Sequence, residues 1–378
     1  MNAIYLDHAA TSPTRLEVVE AMAPYFTTLY GNPSSIHQFG RNTRQALDEA
    51  RRSIASTINA NFNEIVFTSG GTESDNMAIV GAAFANMDKG KHIITSKIEH
   101  HAVLHAVEYL ERNGFEVTYL PVDLEGRIEI KELESALRDD TILVTIMYGN
   151  NEVGSIQPIQ EIGSLLKGSD VLFHTDAVQA FGSLEIDVKE HGIDLLSASA
   201  HKINGPKGNG FLYVNGGVRL EPRTFGGEQE RKRRPGTENV PGIMGMKKAI
   251  ELLSIDKDIR QQQLSSFKKK MIDLIDESGI NYIVNGSQNE ALPHVLNISF
   301  PGTKVESVLV NLDLAGIAAS SGSACTAGSI EPSHVLAAMF EDTKRMNSAI
   351  RFSFGYGNTM EDIEKATNEI IKIVRRLT

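Results

Sequence analysis

The chain has 378 residues, of which 41% are apolar and 22% charged, a balance that suits a soluble globular protein with a sizeable core and room for two domains. Its formal net charge of −11 argues against a general nucleic-acid or membrane-surface binder. The single cysteine, Cys325, excludes an internal disulfide and a thiolate metal cage, and with no apolar stretch near the roughly 18 residues of a membrane span and no leader-like amino terminus, a cytoplasmic location is expected.

Between about Leu16 and Val214, apolar strand-like runs at 65–68, 92–96, 116–120, 142–147 and 171–174 alternate with helix-like stretches at 74–86, 102–112, 130–138 and 159–166. Such alternation predicts an α/β domain, a mainly parallel sheet with helices on both faces. The glycine turn at Ser69-Gly70-Gly71 has neither the GxGxxG spacing of a dinucleotide site nor a GxxxxGK[ST] loop. Past about Pro241 the pattern changes to a long helix through 243–253 and 261–275, a strand at 294–299 and helices at 306–315 and 360–377, which reads as a smaller α+β domain. His8, His100 and His101 stand in no metal-ligand spacing, so no metal is expected.

Three stretches carry chemistry. Asp194-Leu195-Leu196 feeds SASAHKINGPKG, placing Lys202 at a strand's carboxyl end, where open α/β sheets bind ligands. A lysine there is suited to a Schiff base with the aldehyde of pyridoxal phosphate, or is a solvated loop residue. Upstream, an apolar strand ends in HTDAVQ, where Asp176 either keeps a pyridine nitrogen protonated or caps the next helix. Earlier still, a strand, a glycine turn and a helix start in TSGGTESDN supply free N–H groups for a phosphate.

With YLDHAAT, EHHAV, YGNNEVG, RRPGTEN and SSGSACTAGS added in order, the chain resembles the cysteine desulfurases, fold-type I pyridoxal phosphate enzymes related to class V aminotransferases. The resemblance runs from Tyr5 to Arg351. It implies a large cofactor domain at 16–245 built on a seven-stranded, mainly parallel sheet. A small domain of 1–15 and 246–378 would carry the cysteine loop, with the active site between the two and completed by a second subunit of a homodimer.

Residue by residue, the resemblance implies that Lys202 holds the cofactor and moves protons at the substrate's α-carbon. Asp176 pairs with the ring nitrogen, and Gln179 and Asn151 lie at the ring hydroxyl. His100 stacks on the ring and assists proton transfer; a slip of one register would exchange it with His101. Gly71, Thr72, Ser199 and His201 match the phosphate cradle, and Thr237 matches a threonine that reaches the phosphate of the neighbouring subunit. Arg351 matches the clamp on the substrate carboxylate; its plainer use is a strand-edge salt bridge. Cys325, between glycines Gly322 and Gly328, matches the thiol that takes the sulfur of L-cysteine as a persulfide and leaves L-alanine. The basic run at 231–234 is either a solvated charge cluster or a dock for an acidic partner. A long cysteine loop and a chain that stops after its last helix favour sulfur delivery to an acceptor in tRNA thiolation over an iron–sulfur scaffold.

Overall fold

The structure is a computed structural model that describes residues 3–322 and 333–378. Twelve strands occur among the described residues: β1 (Ile4–Tyr5), β2 (Ile65–Thr68), β3 (His92–Ser96), β4 (Glu116–Leu120), β5 (Thr141–Thr145), β6 (Leu172–Asp176), β7 (Leu195–Ser199), β8 (Gly210–Val214), β9 (Ile283–Asn285), β10 (Val295–Ser299), β11 (Ile317–Ala318) and β12 (Ala349–Ser353).

Seven of them form one sheet in the order β2-β8-β7-β6-β5-β3-β4. The pairs β4/β3, β3/β5, β5/β6 and β6/β7 are parallel, and β8 runs antiparallel to both β7 and β2. This is the expected mainly parallel α/β sheet. Its inner strands β3, β5, β7 and β8 are buried along their whole length, as a sheet covered on both faces requires. From Met77 onward the Gly71–Ala85 helix is apolar all round, with Met77, Ala78, Ile79, Val80, Ala82 and Ala83 buried. It is therefore sandwiched between the sheet and the His101–Arg112 helix rather than laid on the surface.

A second, antiparallel sheet has the order β12-β10-β9, and β1 pairs in parallel with β11. The Met360–Leu377 helix covers this region with an apolar stripe of Ile363, Ala366, Ile370, Ile373 and Val374, and starts at a capping box between Thr359 and Asp362. Two large apolar cores result. One gathers residues from Val18 to Ile250; the other joins Leu6 to residues from Leu264 to Val374. The long helix expected through 243–253 and 261–275 runs unbroken as Val240–Ser278; no glycine or proline interrupts 254–260, and each end is held in a different core. The strand read as ending in the aspartate of HTDAVQ is β6, which closes on Asp176 and so sets that carboxylate at the carboxyl end of an inner strand.

Candidate active site

The carboxyl ends of β2, β5, β6 and β7 converge on a cavity of about 360 Å³ lined by Gly71, Thr72, His100, Asn151, Asp176, Gln179, Ser199, His201, Lys202 and Arg351, with Ala9, Ala10, Asp75 and Gly322 among the remaining walls. The first ten are sequence-predicted site residues. Thr237 is exposed and outside the lining, and Cys325 lies outside the described residues.

Lys202 ends the short turn that follows β7. Its Nζ donates to the carbonyl oxygens of Ala9 at 2.5 Å and Ala10 at 2.8 Å. Asp176 is the last residue of β6 and is buried; its Oδ1 accepts from the Val178 N–H at 2.9 Å. The carboxylate thus caps the following turn while still forming cavity wall. Burial pushes its pKa up, opposed by that N–H and by the charge of Lys202. Asp75, one turn into the Gly71–Ala85 helix, is a second buried carboxyl in the same wall. Burial first, and then the charge of Asp176, push its pKa well above the usual carboxylate range. Beneath them His174 bridges Thr145, at 2.8 Å, and Ser197, at 3.1 Å.

The opposite end of the cavity is built from a turn only glycine fits. Gly70 sits at φ 151°, and a Cβ on Gly71 would stand 2.7 Å from Val178 Cγ2. The helix begins there, so its first N–H groups are unspent. Thr72, Ser199 and His201 flank this turn, and a second cavity of about 350 Å³ continues from it to Lys207 and Gly208. His201 Nδ1 lies 3.1 Å from Thr11 Oγ1. Burial, with Lys202 and Lys207 nearby, lowers the His201 pKa to about 4.

His100 is the N-cap of the His101–Arg112 helix, with its Nδ1 accepting from the Ala102 N–H at 3.1 Å. It both caps and lines the cavity. Burial first, then Lys202 and the neighbouring histidines, lower its pKa to about 4, so it is neutral at pH 7. His101 points elsewhere, its ring 5.2 Å from that of His105 and 4.8 Å from that of His334. The register choice therefore places His100, not His101, in the cavity.

Arg351, buried in β12, donates from Nη2 to Asp7 Oδ1 at 2.7 Å and from Nη1 to the Asn151 carbonyl at 3.0 Å. The strand-edge salt bridge exists and coexists with a place in the cavity wall. In the basic run, Arg234 pairs with Glu73 at 2.9 Å and Arg231, itself exposed, bonds Asn63 at 2.6 Å; both arginines are tethered to the protein, while Arg231 and Lys232 remain exposed. Three site features escaped sequence reasoning. They are Asp75, the Ala9 and Ala10 carbonyls, and the pairing of Asp7 with Arg351. Their signal was the presence of TESDN and YLDHAAT among the ordered motifs, which marks segments and not roles.

The residues fit pyridoxal phosphate. A buried carboxyl stands at one end, an N–H-rich glycine turn with hydroxyl and imidazole donors at the other, and a primary amine between them. These match the ring nitrogen, phosphate and aldehyde of one molecule. Among the described residues, no group of three His, Cys, Asp or Glu is placed to hold a metal ion, and no helix is long and apolar enough to cross a membrane.

The model of the aminotransferase class-V family matches residues 4–366. A protein of Bacillus subtilis (strain 168) that carries the name IscS 1, with a provisional desulfurase assignment, is 60% identical over the full length of both chains. The cysteine desulfurase IscS of Dictyoglomus turgidum is 50% identical over 99% of this chain and 95% of its own. Among solved structures, a NifS-like protein superposes with a TM-score of 0.93 at 34% identity, covering 99% of this chain and all of the other. SspA in complex with cysteine does so with a TM-score of 0.83 at 38% identity, over 93% and 98%.

Proposed function

The chain belongs to the class-V aminotransferase family and, within it, to the cysteine desulfurases that depend on pyridoxal 5'-phosphate, and on that footing we propose that its cavity converts L-cysteine to L-alanine and passes the sulfur to Cys325. The observation that carries the proposal is the convergence of Lys202, Asp176, His100, the Gly71 turn and Arg351 on one cavity.

When bound, pyridoxal phosphate supplies an electron sink that makes the α-carbon of an attached amino acid acidic. Lys202 would hold the cofactor's aldehyde carbon and, once its amine is freed, take and return the α-proton. Asp176 would keep the ring nitrogen protonated, and Gln179 and Asn151 would meet the ring hydroxyl. Gly71, Thr72, Ser199 and His201 would hold the phosphate, with Thr237 serving the cavity of a second copy in a homodimer. His100 has Nδ1 accepting from the Ala102 N–H, so the neutral ring carries its hydrogen on Nε2, the donor with which it would assist proton transfer. Asp7 and the Asn151 carbonyl orient Arg351, whose remaining N–H groups would clamp the substrate carboxylate.

The Cys325 thiolate attacks the substrate's sulfur. A sulfur–sulfur bond forms as the carbon–sulfur bond breaks, and the electron pair stays with the carbon that is protonated to become the alanine methyl. The division at 16–245 against 1–15 with 246–378 belongs to the same reading, supported by the two apolar cores. We place the enzyme in the cytoplasm and its sulfur outlet at an acceptor protein of tRNA thiolation or iron–sulfur cluster assembly.

Sulfide and alanine release from L-cysteine with a reductant tests the proposal. Equimolar products are expected from the wild type and no sulfide from Cys325→Ser. Equal alanine from both proteins would assign the chain to a lyase or aminotransferase reaction that needs no thiol.

A further inference from the structure

His294 lies between Pro293 and β10, some distance in sequence from every motif of the site, yet its Nε2 is 3.2 Å from Gln179 Oε1. Gln179 is itself buried and lines the cavity, and its Nε2 donates to the Ala9 carbonyl at 3.0 Å. Together these contacts settle the polarity of the amide. A carbonyl oxygen only accepts, so the Gln179 atom facing Ala9 must be the nitrogen, and the atom facing His294 must be the oxygen. An amide oxygen accepts in turn, so the imidazole must carry its hydrogen on Nε2.

The rest of the ring agrees with that tautomer. His294 Nδ1 is buried without a hydrogen-bond partner among the described residues. A bare lone pair there is a smaller cost than a buried N–H with nothing to accept it. Burial, with the charges of Arg260, His8, Lys202 and Lys268 around it, lowers the His294 pKa to about 3, so the ring is neutral and holds one hydrogen only.

We propose that His294 is a positioning residue for the cofactor: its Nε2–H fixes the Gln179 amide in the orientation that spends one N–H on Ala9 and leaves the second N–H for the ring hydroxyl. Without His294 the amide oxygen loses its donor, and only the Ala9 carbonyl then opposes the flipped amide, which presents an oxygen to that hydroxyl. The inference rests on Gln179 being the partner of the ring hydroxyl.

The test compares equilibrium binding of pyridoxal phosphate and of its 3-deoxy analogue to the apoprotein, by absorbance titration, in wild type, His294→Leu, His294→Gln, His294→Asn and Gln179→Ala. The wild type is expected to prefer the hydroxylated cofactor. His294→Leu and His294→Asn, whose side chains offer no donor or fall short of Gln179, should lose about three- to tenfold of that preference. His294→Gln, whose amide N–H reaches the same oxygen, should keep it. Melting temperatures report folding separately, and His294→Asn carries the test if His294→Leu does not fold. Full preference in the Leu and Asn variants, alongside its loss in Gln179→Ala, would overturn the proposal. Full preference in Gln179→Ala as well would remove the premise about Gln179, and the proposal with it.

Discussion

Lys202 is held by two backbone carbonyls, which fix where its amine stands. Lys202→Ala is expected to lose covalent cofactor attachment, read as loss of its visible absorbance, and to lower turnover by about a thousandfold or more. A coloured, active variant would remove the lysine from its role. Glu99 carries a different prediction. Burial raises its pKa to about 8, opposed by bonds from Ser96 and Met147. An acid raised in the folded state binds its proton more tightly there than in the unfolded chain. Its stabilisation is full below the unfolded value near 4.5 and is lost as pH climbs through about 8. Glu99→Gln, a permanently neutral isostere, should flatten the decline in melting temperature between roughly pH 4.5 and 8; an equal decline in both proteins would assign it to another group. Lys202 and Asp176 were legible because strand, turn and polar residue occur in a recognisable order. Glu99, Asp75 and His294 were not, since a carboxylate in KIEHH or TESDN and an imidazole in LPHVL look like solvent residues until burial is known.

At the scale of elements, the glycine turn before the Gly71–Ala85 helix is a tight constraint on the site. A Cβ at Gly71 meets Val178 at 2.7 Å, an overpacking that costs about 1–3 kcal/mol. Gly71→Ala should therefore lower the melting temperature and also weaken cofactor binding, since Val178 is tied to Asp176. Gly217→Ala is the control, because a Cβ there has nothing within 4 Å. If the two variants bind cofactor equally well, the turn does not hold the phosphate. Strand positions were readable because buried parallel strands are apolar runs bounded by turn residues. Helix ends were less so: the Gly71–Ala85 helix starts on glycine rather than on a capping side chain, and the charged middle of Val240–Ser278 resembles a linker in composition.

For the molecule as a whole, the partition into two cores was legible as a change of pattern near Pro241. The return of the amino terminus into the second core came only from family resemblance, because two-residue strands such as β1 and β11 carry no periodicity. Leu6 is fully buried in that core, and its truncation to Ala should cost about 2–5 kcal/mol. The same change should weaken cofactor binding, although Leu6 lines no part of the cavity, because the residues just after it bond Arg351, Gln179 and Lys202. A lower melting temperature with unaltered cofactor affinity would show that segment to be held independently of Leu6.

That segment also sets a timetable for biosynthesis. Asp7 and Arg351 are 344 residues apart, and β1 waits for β11 at Ile317. On a ribosome the seven-stranded sheet has all its strands by Val214, so it has the means to collapse early, whereas the floor under Lys202 is among the first pieces translated and the last to find its seat. A nascent chain is thus kept from assembling a working pocket until β12 has emerged, which delays the appearance of a reactive sulfur carrier until the protein that contains it is nearly made.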